Sequence, residues 1–144
     1  MSAEDNKRIV LAYLAGDQSL LDKDMSWWTP GTGVLDREQF MTIVEHVRPQ
    51  LASPMSMTVD TIIAEGDHVA VEARGSGLLK NGRVYANTYH FLYVLRDGKI
   101  VQQREHADTA YAHEVLGPEV IAAIKALETR SKTVSADLSH DLPL

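Results

Sequence analysis

Cysteine is absent from the 144-residue chain, which removes disulfides, thiolate metal sites and cysteine nucleophiles. Basic charge is in deficit: fourteen Lys and Arg against twenty Asp and Glu leave −6, the wrong sign for a nucleic-acid face. No apolar run is long enough to span a bilayer, and Met1-Ser2-Ala3-Glu4-Asp5 has neither the basic start nor the apolar run of a signal peptide. Internal repeats are also missing. These absences set the expectation of a soluble, cytoplasmic protein with no nucleic-acid partner and no membrane partner. The length fits one domain, and a domain of this size buries roughly 68–70% of its unfolded surface without staples.

What is present divides into helical and strand-like halves. Ser2 with Asp5 three residues on predicts a capped first helix to about Ala15, with Val10, Tyr13 and Leu14 apolar and Gly16 at its stop. Met25 to Trp28 reads as a short strand ended by Thr29-Pro30-Gly31-Thr32-Gly33. Asp36 with Gln39 repeats the capping pattern before Phe40, Ile43, Val44, Val47 and Leu51 at helical spacing. From Met57 the period falls to two, and turns at Glu65-Gly66-Asp67, Asn81-Gly82 and Asp97-Gly98 divide four antiparallel strands. Glu119 to Arg130 has helical composition. The expected organisation is one domain over residues 1–131 and a mobile or partner-docked tail over 132–144. The fold class is α+β, with helices on one face of a curved antiparallel sheet. Tyr89, Phe91, Tyr93 and Leu95 are apolar, yet so are Leu92 and Val94 on the opposite face. A strand apolar on both faces is covered on both, which predicts a homodimer through the outer sheet face, the alternative being the C-terminal helix laid across it.

The last strand, Lys99 to Thr109, begins apolar and ends in Arg104, Glu105, His106 and Asp108, as one wall of a pocket with a reactive rim would. Which of these side chains point inward depends on register. With Asn81-Gly82 as a two-residue turn, His90 lies opposite Ala73, and His90, Leu92 and Val94 share the interior face of Val69 and Val71. Two readings of the next hairpin remain. A three-residue loop at Arg96-Asp97-Gly98 turns Asp108 inward beside His90, whereas a two-residue turn at Asp97-Gly98 turns Glu105 inward and Asp108 outward.

Three stretches carry a resemblance. Ala15-Gly16-Asp17 closes the first helix. Trp28-Thr29-Pro30-Gly31 precedes Asp36-Arg37-Glu38-Gln39-Phe40, and Arg96-Asp97-Gly98-Lys99-Ile100 leads to Glu105-His106-Ala107-Asp108. In this order they resemble the SnoaL-like polyketide cyclase and ketosteroid-isomerase-like branch of the nuclear-transport-factor-like superfamily. The resemblance implies a cone-shaped sheet wrapped around N-terminal helices. By position it also implies that Asp108 is the general base, which favours the three-residue loop. Arg74 falls near the arginine of limonene-type epoxide hydrolases, but Ser76 stands where those enzymes place an acidic donor.

The resulting expectation is a cofactor-independent acid/base enzyme, a cyclase, isomerase or dehydratase. It would take a proton next to a carbonyl of a hydrophobic cyclic or polyketide-like molecule. Asp108 is the expected base and His90 the expected enolate donor. Trp28, His106, Arg104 and Tyr13 are the expected substrate-binding residues, with no metal and no cofactor. The competing role for Asp108 is a helix cap before Tyr111, and for His90 a hydrogen-bonded core residue. Arg74 is expected in an outer-face ion pair, and Gly75-Ser76-Gly77 at a bend or bulge. The alternatives in function are limonene-type epoxide hydrolysis, a non-catalytic protein that binds an apolar ligand, and a dimerisation module without a pocket.

Overall fold

Two capping boxes start the first two helices. In a computed structural model that describes residues 1–117 and 126, α1 (Ala3–Leu14) is closed at its start by Ser2 and Asp5. Helix α2 (Arg37–Val47) is closed in the same way by Asp36 and Gln39. Each box satisfies backbone N–H groups that the first helical turn leaves without partners. The strands are β1 (Leu21–Thr29), β2 (Gly33–Asp36), β3 (Ser56–Glu65), β4 (His68–Leu78), β5 (Val84–Arg96) and β6 (Lys99–Ala107), followed by α3 (Thr109–Leu116). The helix expected over Glu119–Arg130, Ala126 apart, and the tail at 132–144 lie outside the described residues.

The strands form one six-stranded sheet in the order β2-β1-β6-β5-β4-β3. All neighbours are antiparallel except β1 and β6, which run parallel. This is the expected α+β plan, a curled sheet with α1 and α2 against its inner face. Val10 and Tyr13 of α1 and Phe40 and Ile43 of α2 share a core with Trp27, Val69, Val71, Ala73, Phe91, Tyr93 and Ile100 of the strands.

The first of the last two hairpin turns differs from the expected register, and the second takes the shorter of its two open readings. At the first, Leu78 pairs with Val84 and the loop is Lys80-Asn81-Gly82, closed by Leu79 N–H to Arg83 O at 2.8 Å. Gly82 takes the left-handed φ of 88° that a three-residue loop needs at its end. Lys80 N–H also reaches Gln50 O at 2.8 Å, and Leu51 bridges to Leu79, so the segment after α2 fixes this turn from outside. Ala73 therefore pairs with Tyr89 rather than His90, and Tyr89, Phe91, Tyr93 and Leu95 face inward.

At the second, Arg96 pairs with Lys99, and Asp97 and Gly98 have φ of 51° and 78°, a two-residue turn of the mirror-image type. The pairing then slips, because Leu95 pairs with Ile100 but Val94 pairs with Gln102. Val101 is the extra residue of a β-bulge. Without it the alternation begun by buried Ile100 would carry residues 102, 104, 106 and 108 inward. With it, Gln103, Glu105 and Ala107 face inward.

The Gly75-Ser76-Gly77 stretch pairs without interruption against Asn87, Ala86 and Tyr85, so no bulge occurs there. The two glycines instead leave room on the inner face. A Cβ on Gly75 would lie 3.0 Å from the Tyr89 ring, and one on Gly77 would lie 2.6 Å from Met55 Sδ. The bulge between β3 and β4 lies at Asp60, opposite Ala73 and Glu72.

Deleting Val101 removes the extra residue and should join Ile100 to Gln102 in strict alternation, with Gln103, Glu105 and Ala107 still inward and cooperative unfolding retained in a denaturant titration. Deleting Val101 and Gln102 together reverses the parity, drives Arg104 and His106 toward the core and should abolish cooperative unfolding. A double deletion that unfolds at the parent midpoint would show that parity along β6 does not set the inward face.

Candidate functional site

Between α2, the segment after it, α3 and the inner face of β5 and β6 lies a cavity of about 790 Å³. That volume suits a small ligand of several rings. Its β5 wall is a ladder of rings at two-residue spacing. Tyr89 stacks parallel to Phe91 with centroids 5.3 Å apart, and Phe91 meets Tyr93 at 5.4 Å. Trp27 and Phe40 (5.1 Å apart), Met55, Met57, Leu51 and Leu116 complete an apolar lining.

Among the described residues of this lining, Glu105 is the one carboxylate. It pairs across the sheet with Phe91, between Tyr89 and Tyr93. No described residue donates a hydrogen bond or a cation to it. Removal from water therefore dominates, and burial pushes its carboxyl from 4.5 up to about 7. Burial likewise raises the phenols of Tyr13, Tyr85, Tyr89 and Tyr93, and the charge of Glu105 adds to each rise. All four phenols are neutral donors at physiological pH.

The phenols are partly spoken for. Tyr13 donates to Gln103 Oε1 at 2.8 Å. Tyr89 and Tyr85 share one hydrogen bond at 3.3 Å, and Asn87 Nδ2 donates to Tyr85 Oη at 2.9 Å. Asn87 also fastens the start of α3: its Oδ1 accepts from Asp108 N–H at 3.1 Å and its Nδ2 donates to Asp108 O at 3.0 Å. Tyr111 ties the first turn of α3 back to β5, accepting from Ala86 N–H at 3.1 Å and donating to Val84 O at 3.3 Å.

The expected site residues fall on two sides of the sheet. Asp108 does not face the cavity. It is the N-cap of α3, its Oδ1 accepting from Tyr111 N–H at 3.0 Å, which is the capping role weighed against catalysis. His90 is also turned outward, its side chain 72% exposed and its Nε2 3.3 Å from Glu72 Oε2. The cause in both cases is the register, a three-residue first loop for His90 and the Val101 bulge for Asp108. Trp28 points to the outer face as well, with the Arg104 guanidinium 4.9 Å from its ring and His106 edge-on at 5.1 Å. These three thus form an outer-face cluster rather than a binding wall. Its neighbour Trp27, 4% exposed, is the inward tryptophan. Tyr13 does line the cavity. Arg74 makes the outer-face ion pair, with Asp60 at 2.9 Å, and that contact holds the Asp60 carboxyl below its ordinary value.

Trp27, Tyr85, Tyr89, Tyr93, Gln103 and Glu105 were not among the expected site residues. The signal for the tyrosines was the alternation Tyr85, Asn87, Tyr89, Phe91, Tyr93, which places the largest side chains of the sheet on one face. Among the described residues no group of three or more His, Asp and Glu could hold a metal, and no helix is long and apolar enough to cross a membrane.

Residues 13–103, most of the helices and sheet just described, match the SnoaL-like domain family. The chain belongs to this family. No curated protein sequence matches it. Among solved structures, this SnoaL-like domain is similar to AclR of Streptomyces galilaeus at 15% identity and a TM-score of 0.70, over 80% of this chain and 97% of that one. It is also similar to a Jannaschia sp. CCS1 protein named as a SnoaL-like polyketide cyclase (17%, TM-score 0.64, 79% and 92%). A third is TerC, co-crystallised with polyporic acid (23%, TM-score 0.64, 78% and 98%). These likenesses establish the nuclear-transport-factor-like fold.

A carboxyl at about 7 in the folded chain and 4.5 in the unfolded one binds more protons when folded. Its stabilising contribution is full below about pH 4.5 and is lost as pH rises through about 7. The loss should be on the order of 3 kcal/mol. Glu105→Gln should abolish this part of the decline between pH 5 and 8 and stabilise the protein at pH 8, as read by urea midpoints. Equal midpoint shifts in variant and parent would contradict the assignment.

Proposed function

We propose that this SnoaL-like domain is a cofactor-independent general acid/base enzyme that removes a proton next to a carbonyl in a hydrophobic ring compound, with Glu105 as the base. One observation carries the reading: among the described residues a single carboxylate stands in an apolar, ring-lined cavity with its pKa lifted to about 7. A base works best when its pKa is near the working pH, because it is then both ionised and strong enough to accept the proton. Burial supplies this adjustment without any partner. The rings of β5 offer a flat surface for a cyclic substrate. The reaction then proceeds by transfer of a carbon-bound proton to Glu105, enolate formation, and return of the proton to another carbon or loss of a leaving group. TerC, which shares the fold, holds polyporic acid, which supports a small-molecule ligand for the cavity.

Epoxide hydrolysis of the limonene type has less support, since it calls for a second acid and no second carboxylate lines the cavity among the described residues. Plain ligand binding uses the same walls and differs only in leaving Glu105 without a chemical task. A second copy on the outer sheet face belongs to the proposal. Ile63, in one row with Ala70 and partly covered Leu92, is 62% exposed there, and Val84, at the other end of β5, is 61% exposed.

Proton–deuterium exchange at the activated carbon of 2-tetralone, followed by NMR in D2O, tests the chemistry directly. The protein should accelerate exchange, with a rate that rises with pH and levels off above about 7 as Glu105 ionises. Glu105→Gln should lower the rate by about 100-fold or more, whereas Asp108→Asn, which keeps a capping oxygen, should stay within about two-fold. Exchange at the parent rate in Glu105→Gln would sink the base, and no exchange by the parent protein would leave a binding protein. Sedimentation velocity should give a dimer that Ile63→Lys weakens; a monomer at all concentrations would remove the second copy from the reading.

A further inference from the structure

We infer that Trp27, Gln103 and Tyr93 form a donor site for one oxygen acceptor of the ligand, at the end of the cavity beyond Glu105. The three residues make one row across the sheet, because Gln103 of β6 pairs with Trp27 of β1 on one side and Tyr93 of β5 on the other. All three face inward and line the cavity. They are 4%, 4% and 0% exposed, so water outside the protein does not satisfy them.

Hydrogen-bond accounting along the row leaves a surplus of donors. Trp27 Nε1–H and the Tyr93 hydroxyl have no partner among the described residues. The carbonyl oxygen of Gln103 is taken by Tyr13, which aims the amide and leaves its NH2 group without a described acceptor. Tyr13 thus occupies the carbonyl acceptor of the row, and the Tyr93 hydroxyl is its remaining acceptor as well as a donor. Indole and carboxamide N–H groups cannot turn into acceptors, and a buried donor left without a partner is destabilising. A ligand carbonyl oxygen would satisfy what the protein leaves open. An enolate oxygen would do so more strongly, since hydrogen bonds to a charged acceptor are the tighter ones.

The position of Glu105 gives the row a catalytic meaning. It is two residues along β6 from Gln103 and faces inward beside it. A ketone with its oxygen in the row therefore presents its neighbouring carbon toward the carboxylate. The donors would hold the negative charge that proton removal creates. The inference deepens the proposed proton abstraction and rests on it for the identity of the bound group, while the surplus of donors stands on its own. The ligand class narrows accordingly to ring ketones or quinone-like compounds rather than hydrocarbons, amines or alcohols that bring donors of their own.

Tyr93→Phe isolates the claim, because it removes one oxygen and no ring packing. Binding of 2-tetralone and of its hydrocarbon counterpart tetralin is measured by titration calorimetry in the parent, Tyr93→Phe and Glu105→Gln proteins. Tyr93→Phe should weaken 2-tetralone about five-fold and leave tetralin unchanged, while the ligand-free variant unfolds at the same or a higher temperature. A purely structural tyrosine would instead lower the melting temperature and weaken both ligands alike. Equal affinities of parent and Tyr93→Phe for 2-tetralone would overturn the donor site. Glu105→Gln should retain 2-tetralone binding; loss of exchange in that variant with binding intact keeps the base and the donor row as separate findings. Retained exchange in Glu105→Gln, with the Tyr93→Phe effect present, would remove the base and leave the row.

Discussion

Side chains of a strand alternate strictly between two faces, and in this sheet one extra residue resets that alternation at the decisive place. Val101 sits unpaired between Ile100, which is buried in the core, and Gln102, which is exposed. Every later residue of β6 inherits its side from that offset. On one side are Gln103, Glu105 and Ala107; on the other are Gln102, Arg104 and His106. The β6 side of the cavity lining, its one carboxylate among the described residues and the outer cluster of Arg104, His106 and Trp28 all follow from it.

The energetic character of the cavity is one of withheld solvation. A carboxylate is most comfortable with water, a cation or several N–H donors; Glu105 is partly buried in the cavity, and no described residue gives it a cation or a donor. Folding sets this discomfort against the burial of the rings of Tyr89, Phe91, Tyr93 and Trp27. The carboxylate is a liability for stability, and in the proposed reaction the same burial is what suits it to act as a base. Two of the polar groups nearby are engaged elsewhere. Tyr13 is spent on Gln103, and Asn87 is spent on Tyr85 and the backbone of Asp108.

Much of the architecture was legible in the residues themselves. Both capping boxes, the period-two strands and the turn positions appear where Ser2/Asp5, Asp36/Gln39 and the Gly-containing pairs place them. The resemblance carried by Trp28 to Phe40 and Arg96 to Asp108 led to the right family. The site was less legible, for a specific reason. Asn81-Gly82 prefers a two-residue turn locally, but Lys80 and Leu79 are held by Gln50 and Leu51, from the segment after α2, and the loop takes three. At Asp97-Gly98 the shorter turn won, and no local residue type marks Val101 as a bulge. Position along the chain pointed to Asp108, whereas parity chose Glu105. The fold therefore came from local signals, and the side-chain orientations from long-range pairing.

The inner face of β4 adds a further consequence. Gly75 and Gly77 contribute no side chain to the interior, and Met55, Leu51 and Tyr89 occupy the hollows so made. Reactive groups come from β5 and β6, while β4 governs how much space surrounds them. Capacity and chemistry are thus encoded on separate strands, so a relative could accept a bulkier or slimmer guest by altering two small residues without disturbing a single proton-bearing atom.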